Sequence, residues 1–85
     1  MRLQPSKNFE KEYARLPRQI QERTDKQLAL LLSNPHHPSL QTEKAKGYRD
    51  IWKGRITQDY RFTFQIIGDT YILRRIGPHD MERNP

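Results

Sequence analysis

The hydrophobic period of this 85-residue chain changes once, from about 3.6 residues before position 51 to 2 after it. That switch divides the chain into a helical half and a strand half, which confines it to layouts that lay helices on a sheet. After an extended start at Arg2 to Gln4, Ser6 is placed to cap a helix whose Phe9, Tyr13 and Leu16 share one face. Pro17 suits the first turn of a second helix, in which Ile20, Thr24, Leu28, Leu31 and Leu32 recur at helical spacing until Ser33-Asn34-Pro35. So short a link makes the two helices a hairpin. Residues 34–46, with Pro35, His36, His37, Pro38 and Ser39, read as a connecting loop.

Three strand-like runs follow: Ile51 to Ile56, Tyr60 to Ile66 and Thr70 to Ile76. Trp52, Gly54 and Ile56 alternate onto one face with Tyr60, Phe62, Phe64 and Ile66, provided that Thr57-Gln58-Asp59 forms the first turn. Arg55 then faces Arg61. A tight turn at Gly68-Asp69 sets Phe64 opposite Leu73 and Ile66 opposite Tyr71 on the apolar side, with Thr63 opposite Arg74 on the polar one. The expected fold is therefore α+β: a single domain over 1–85, with the helical hairpin on one face of a small antiparallel sheet.

Composition removes several classes of function. With one-third of its residues hydrophobic, so short a chain has no room for a large internal cavity. The longest apolar run, Leu28 to Leu32, is far below the roughly 20 residues of a membrane span. The amino-terminal stretch lacks the apolar segment of a secretory signal, so a cytoplasmic location is expected. Absence of cysteine excludes disulfides, thiolate zinc sites and cysteine nucleophiles. His36 and His37, adjacent in a proline-bounded loop with no other ligand nearby, do not have the spacing of a metal site, and no cofactor is expected.

The net charge of +6 points to a polyanionic partner. Residues 1–43 carry seven basic and five acidic side chains, and residues 44–85 carry nine and five, so the strand half is the more basic. Alternation puts Lys53, Arg55, Arg61 and Arg74 on the face that the helices leave open. Like charges across strands repel, and their convergence favours a bound anion over a merely solvated face. Ile72 falls on the same face as a spot for a partner to cover. His79 follows the third strand in Ile76-Gly77-Pro78-His79-Asp80, near the end that carries Arg61. An imidazole titrating near neutrality beside cations that hold a phosphate could cleave RNA without metal, because RNA supplies its own 2′-hydroxyl nucleophile.

Lys46-Gly47-Tyr48, Ile51-Trp52, Arg55, Asp59-Tyr60-Arg61 with Thr63-Phe64, and Ile76-Gly77-Pro78-His79-Asp80 together resemble the RelE branch of the RelE/ParE toxin superfamily. The likeness spans essentially the whole chain. It implies a microbial-ribonuclease-like fold and the toxin of a type II toxin–antitoxin system, a ribosome-dependent endoribonuclease that cuts mRNA in the A site and so inhibits translation. The functional positions carried over are Lys53, Arg55, Arg61 and His79; Lys44, Lys46 and Arg74 are expected beside them as further RNA contacts. His79 matches the relatives in which a histidine is the acid or base. An aromatic residue that relatives often carry further on has no counterpart in Asp80-Met81-Glu82-Arg83-Asn84-Pro85, which leaves the general base unassigned.

The expected partners are a cognate antitoxin, laid as an acidic segment over the basic face or the helical hairpin, and mRNA on the ribosome. The chain would be a monomer or part of a toxin–antitoxin hetero-oligomer. The alternative is a binding module on the same scaffold, either a ParE-like inhibitor of DNA gyrase or a degenerate toxin that binds only its antitoxin.

Overall fold

A computed structural model describes residues 1–79 and 85; the tail residues Asp80 to Asn84 lie outside the described residues. The elements follow the expected order, with additions at both sheet edges: β1 (Arg2–Pro5), α1 (Lys7–Ala14), α2 (Arg18–Ser33), a 3₁₀ turn (Pro38–Leu40), β2 (Glu43–Lys44), β3 (Trp52–Arg55), β4 (Tyr60–Ile67) and β5 (Thr70–Pro78). Ser6 caps α1, its hydroxyl accepting the Phe9 N–H at 3.1 Å. His37 caps the 3₁₀ turn by accepting the Ser39 N–H on Nδ1, a structural use of one of the two loop histidines.

The sheet has five strands in the order β1-β5-β4-β3-β2. Its centre is the antiparallel β3-β4-β5 meander, in which Arg55 faces Arg61, Phe64 faces Leu73 and Ile66 faces Tyr71, as the alternation requires. The extended amino terminus joins as β1, parallel to β5, and makes the sheet mixed. The loop contributes two residues, Glu43 and Lys44, which pair with Lys53 and Trp52.

One register differs from expectation. Thr63 pairs with Arg75 rather than Arg74, because a bulge shifts the ladder between Thr63 and Phe64. Leu73 and Ile76 are both 1% exposed, and strict alternation over three residues would turn one of them outward. The extra residue restores the phase. It also separates the two arginines: Arg74 donates to the Gln65 Oε1 at 3.1 Å, whereas Arg75 pairs with Glu12 of α1 at 2.6 Å. Glu12 accepts the Ile76 N–H as well, satisfying β5 where β1 has ended.

The core lies between the sheet and the hairpin, built from Phe9, Leu28, Leu31, Leu40, Ile56, Phe62, Phe64, Tyr71, Leu73 and Ile76. Phe62 stacks on Phe64, with ring centroids 5.5 Å apart, and Phe64 meets Tyr71 edge-on at 5.6 Å. Two buried polar side chains of α2 are satisfied locally: Thr24 donates to the Ile20 carbonyl, and Gln27 to those of Arg55 and Ser39. Gln27 thereby fastens the end of β3 and the 3₁₀ turn to α2. No helix among the described residues is long and apolar enough to cross a membrane.

Candidate active site

On the face away from the helices, a cleft of about 370 Å³ is lined by Gln41, Thr42, Glu43, Lys53, Gly54, Arg61 and His79. Alternation places Lys53 and Arg61 there, on neighbouring strands β3 and β4. The Lys53 Nζ lies 3.1 Å from the Glu43 carboxylate, and its side chain is only 20% exposed. Glu43 is directly opposite Lys53 in the β2–β3 ladder, which brings one carboxylate among the cleft cations. Gln41, at the rim, is held left-handed (φ 45°) where the 3₁₀ turn ends.

Arg61 is anchored by one guanidinium nitrogen, Nη1, which donates to the carbonyls of Thr57, Gln58 and Tyr60. A guanidinium has five N–H donors, so among the described residues this anchoring leaves the Nε/Nη2 edge to meet an anion in a fixed orientation. His79 is exposed at the end of β5, and its backbone N–H donates to the Asp59 carbonyl at 2.8 Å. This bond ties the segment carrying the imidazole to the β3–β4 turn that holds Arg61.

The other positions singled out in the sequence fall around this cleft. Arg55 faces Arg61 across the ladder but lines a neighbouring cleft with Gln19, Ile20, Arg23, Ser39, Thr57 and Gln58. Lys46 lines a smaller recess beside Lys53, with Ala45, Thr63 and Pro85. Lys44 alternates to the opposite face from Lys53 and sits 5.5 Å from the centre of the Trp52 ring, a cation–π contact. Arg74 is engaged by Gln65 and by the Pro85 carbonyl, which also accepts from Thr63. Pro85 therefore covers part of the face expected to be open. Ile72 is half-buried opposite Gln65.

Glu43 was not legible as a site residue. It belongs to a two-residue strand inside a proline-rich stretch, too short to show a period, and only its pairing with Lys53 brings it to the cleft. Among the described residues no group of three His, Asp or Glu side chains is arranged to hold a metal. Among the described residues the cleft brings together one imidazole, one carboxylate and two cations, a set of groups suited to proton transfer beside a held anion.

Solved structures share this architecture at low identity. YafQ from E. coli strain BL21(DE3) superposes with a TM-score of 0.77 at 12% identity, covering 92% of both chains. The YoeB/ParE toxin from Agrobacterium tumefaciens gives 0.78 at 20% identity, covering 93% of this chain and 99% of the other. The toxin in the RelB-RelE antitoxin-toxin complex from Methanococcus jannaschii gives 0.76 at 23%, covering 95% of each. No curated protein sequence matches the chain. The family model for the ParE toxin of the type II toxin-antitoxin system parDE matches residues 3–83, nearly the full length. With that match, and with the hairpin-on-sheet fold common to RelE, YafQ and YoeB/ParE toxins, the chain belongs to the RelE/ParE superfamily of type II toxin–antitoxin toxins.

Proposed function

We propose that this toxin is an endoribonuclease that cuts mRNA on the ribosome in the cytoplasm and is neutralised by an antitoxin encoded with it. The observation that carries this is the meeting of Lys53, Arg61, His79 and Glu43 in one cleft. In the reaction, the 2′-oxygen bonds to the adjacent phosphorus and the bond to the 5′-oxygen breaks, leaving a 2′,3′-cyclic phosphate and a 5′-hydroxyl. Glu43 takes the proton of the 2′-hydroxyl, and the protonated His79 ring gives one to the departing 5′-oxygen. Arg61 and Lys53 face the phosphoryl oxygens as their charge grows. A ribosome-held message would supply the in-line geometry that so shallow a cleft cannot impose alone.

The test is a map of new 5′-hydroxyl ends across transcripts soon after induction, with His79→Ala beside wild type and both shown folded by circular dichroism. Codon-phased ends in translated messages, absent in His79→Ala, are expected. The match to the ParE family model supports a second reading, inhibition of DNA gyrase. Growth arrest without new ends, together with loss of supercoiling by purified gyrase, would replace the first reading by the second.

A further inference from the structure

The second cleft, about 590 Å³, lies on the other side of the β3–β4 turn from the His79 cleft, between that turn and the start of α2. Arg23 and Arg55 line it together with Gln19, Gln58, Ser39 and Thr57, and among the described residues no acidic side chain does. This is unusual in its surroundings. The neighbouring cleft has Glu43 against Lys53, and the next exposed arginine along α2, Arg18, is paired with Glu22. The Arg55 guanidinium has no ion-pair partner among the described residues, and Arg23 is steadied only through Nε, which donates to the Ile56 carbonyl at 3.3 Å.

The helix contributes as well. The first turn of α2 carries no acidic residue and its Pro17 cap offers no side-chain acceptor, although acidic groups favour that position. Within its own first turn the positive end of the helix thus carries no counter-charge, beside two guanidinium groups. The backbone of Arg55 is fixed from behind, its carbonyl accepting from buried Gln27 at 2.9 Å. A wall of the cleft, Thr57 and Gln58, is the same turn whose carbonyls hold Arg61. A strand whose scissile phosphate lies at Arg61 therefore has a second cationic recess directly across one turn.

We infer that the Arg23/Arg55 cleft is a second RNA phosphodiester site, holding a phosphate outside the bond that is cut; this rests on the RNA reading proposed above. Guanidinium forks suit phosphate oxygens, and the amide and hydroxyl groups of Gln19, Gln58, Ser39 and Thr57 can serve the ribose or remaining oxygens. The phosphate belongs either to the message or to ribosomal RNA, and the chemistry is common to both.

The test uses the full chain carrying His79→Ala, so that RNA is bound and not cut. Affinity is measured across a potassium chloride series for a fluorescent single-stranded RNA oligonucleotide by polarisation, and for mRNA-programmed ribosomes by co-sedimentation. Arg23→Gln/Arg55→Gln is compared with its parent and with Arg18→Gln, which removes a charge from the same helix outside the cleft. The double variant is expected to bind about tenfold or more weakly, with the salt slope reduced by about 0.7 for each phosphate no longer neutralised, while Arg18→Gln stays near the parent. Arg23→Lys should keep most of the salt slope. Weakening with the oligonucleotide identifies a message phosphate, and weakening with ribosomes only identifies ribosomal RNA. Should the double variant fail to fold by circular dichroism, Arg55→Gln alone decides by the same criterion. Parent-like affinity and slope for both ligands would overturn the site, as would a loss confined to antitoxin binding. A parent that binds neither ligand would instead sink the RNA reading as a whole.

Discussion

Replacing Gly54 by alanine tests how the basic face is supported from beneath. Gly54 sits opposite Phe62 in the β3–β4 ladder, and the ring lies across it on the core side. A Cβ added there would stand 2.5 and 2.6 Å from two ring carbons, against an ordinary contact of about 3.5–4.0 Å. The ring would have to retreat by about 1 Å. It has nowhere to go, because Phe62 is fully buried and stacked on Phe64, which in turn meets Tyr71. Overpacking of this kind costs ~1–3 kcal/mol, offset by ~0.5–1 kcal/mol because glycine is a poor strand residue. With both terms at mid-range the expected net loss is about 1 kcal/mol, which for a domain of this size is a fall in Tm of roughly 4–8 °C. Urea unfolding of the His79→Ala chain with and without Gly54→Ala gives the difference directly. Phe62→Leu provides the second arm of a double-mutant cycle: removing ring atoms should relieve the clash, so the two changes together cost at least ~1 kcal/mol less than their sum. A Gly54→Ala chain within about 0.3 kcal/mol of its parent, or strictly additive effects, would refute the close-approach argument.

Three further outcomes follow from individual contacts. Gln27→Leu keeps the volume but strips the Arg55 and Ser39 carbonyls of their donor, and should cost about 1–3 kcal/mol in urea unfolding. Glu12→Ala removes both the Arg75 ion pair and the acceptor for the Ile76 N–H, and is expected to cost about 2 kcal/mol; Glu12→Gln, which can still accept from Ile76, should cost less. Tyr13 donates to Asp25 at 2.7 Å, a hydrogen bond that raises the phenol above its usual value. Its stabilising effect is thus fully present below about pH 10 and disappears as pH rises through the raised value. Tyr13→Phe should accordingly be less stable than wild type by up to about 1 kcal/mol at neutral pH, with the gap closing in strong alkali when thermal unfolding is followed by circular dichroism.

The local pattern determined much of this protein by itself. Helical spacing from Phe9 to Leu32, the punctuation at Pro17 and Gly68-Asp69, and the alternation in β3 and β4 predict the hairpin, the meander and the Arg55–Arg61 pairing, because each is a contact between near neighbours whose geometry the backbone period sets. The same alternation brings Lys53 and Arg61 to one face and leaves His79 at its end. Contacts that depend on distant segments were decided only in three dimensions. The amino terminus became a parallel edge strand because β5, some 68 residues later, offered it a partner. The bulge at Arg74 arose from the need to bury both Leu73 and Ile76, and it sent Arg75 to Glu12. Glu43 reached the cleft through a two-residue pairing that no period announces, and Arg55 parted from Arg61 because the cleft beside α2 lies around the turn from the sheet face. Side-chain period fixes which face a residue takes, whereas which cleft that face opens into depends on how the helices, the turn and the loop pack around it.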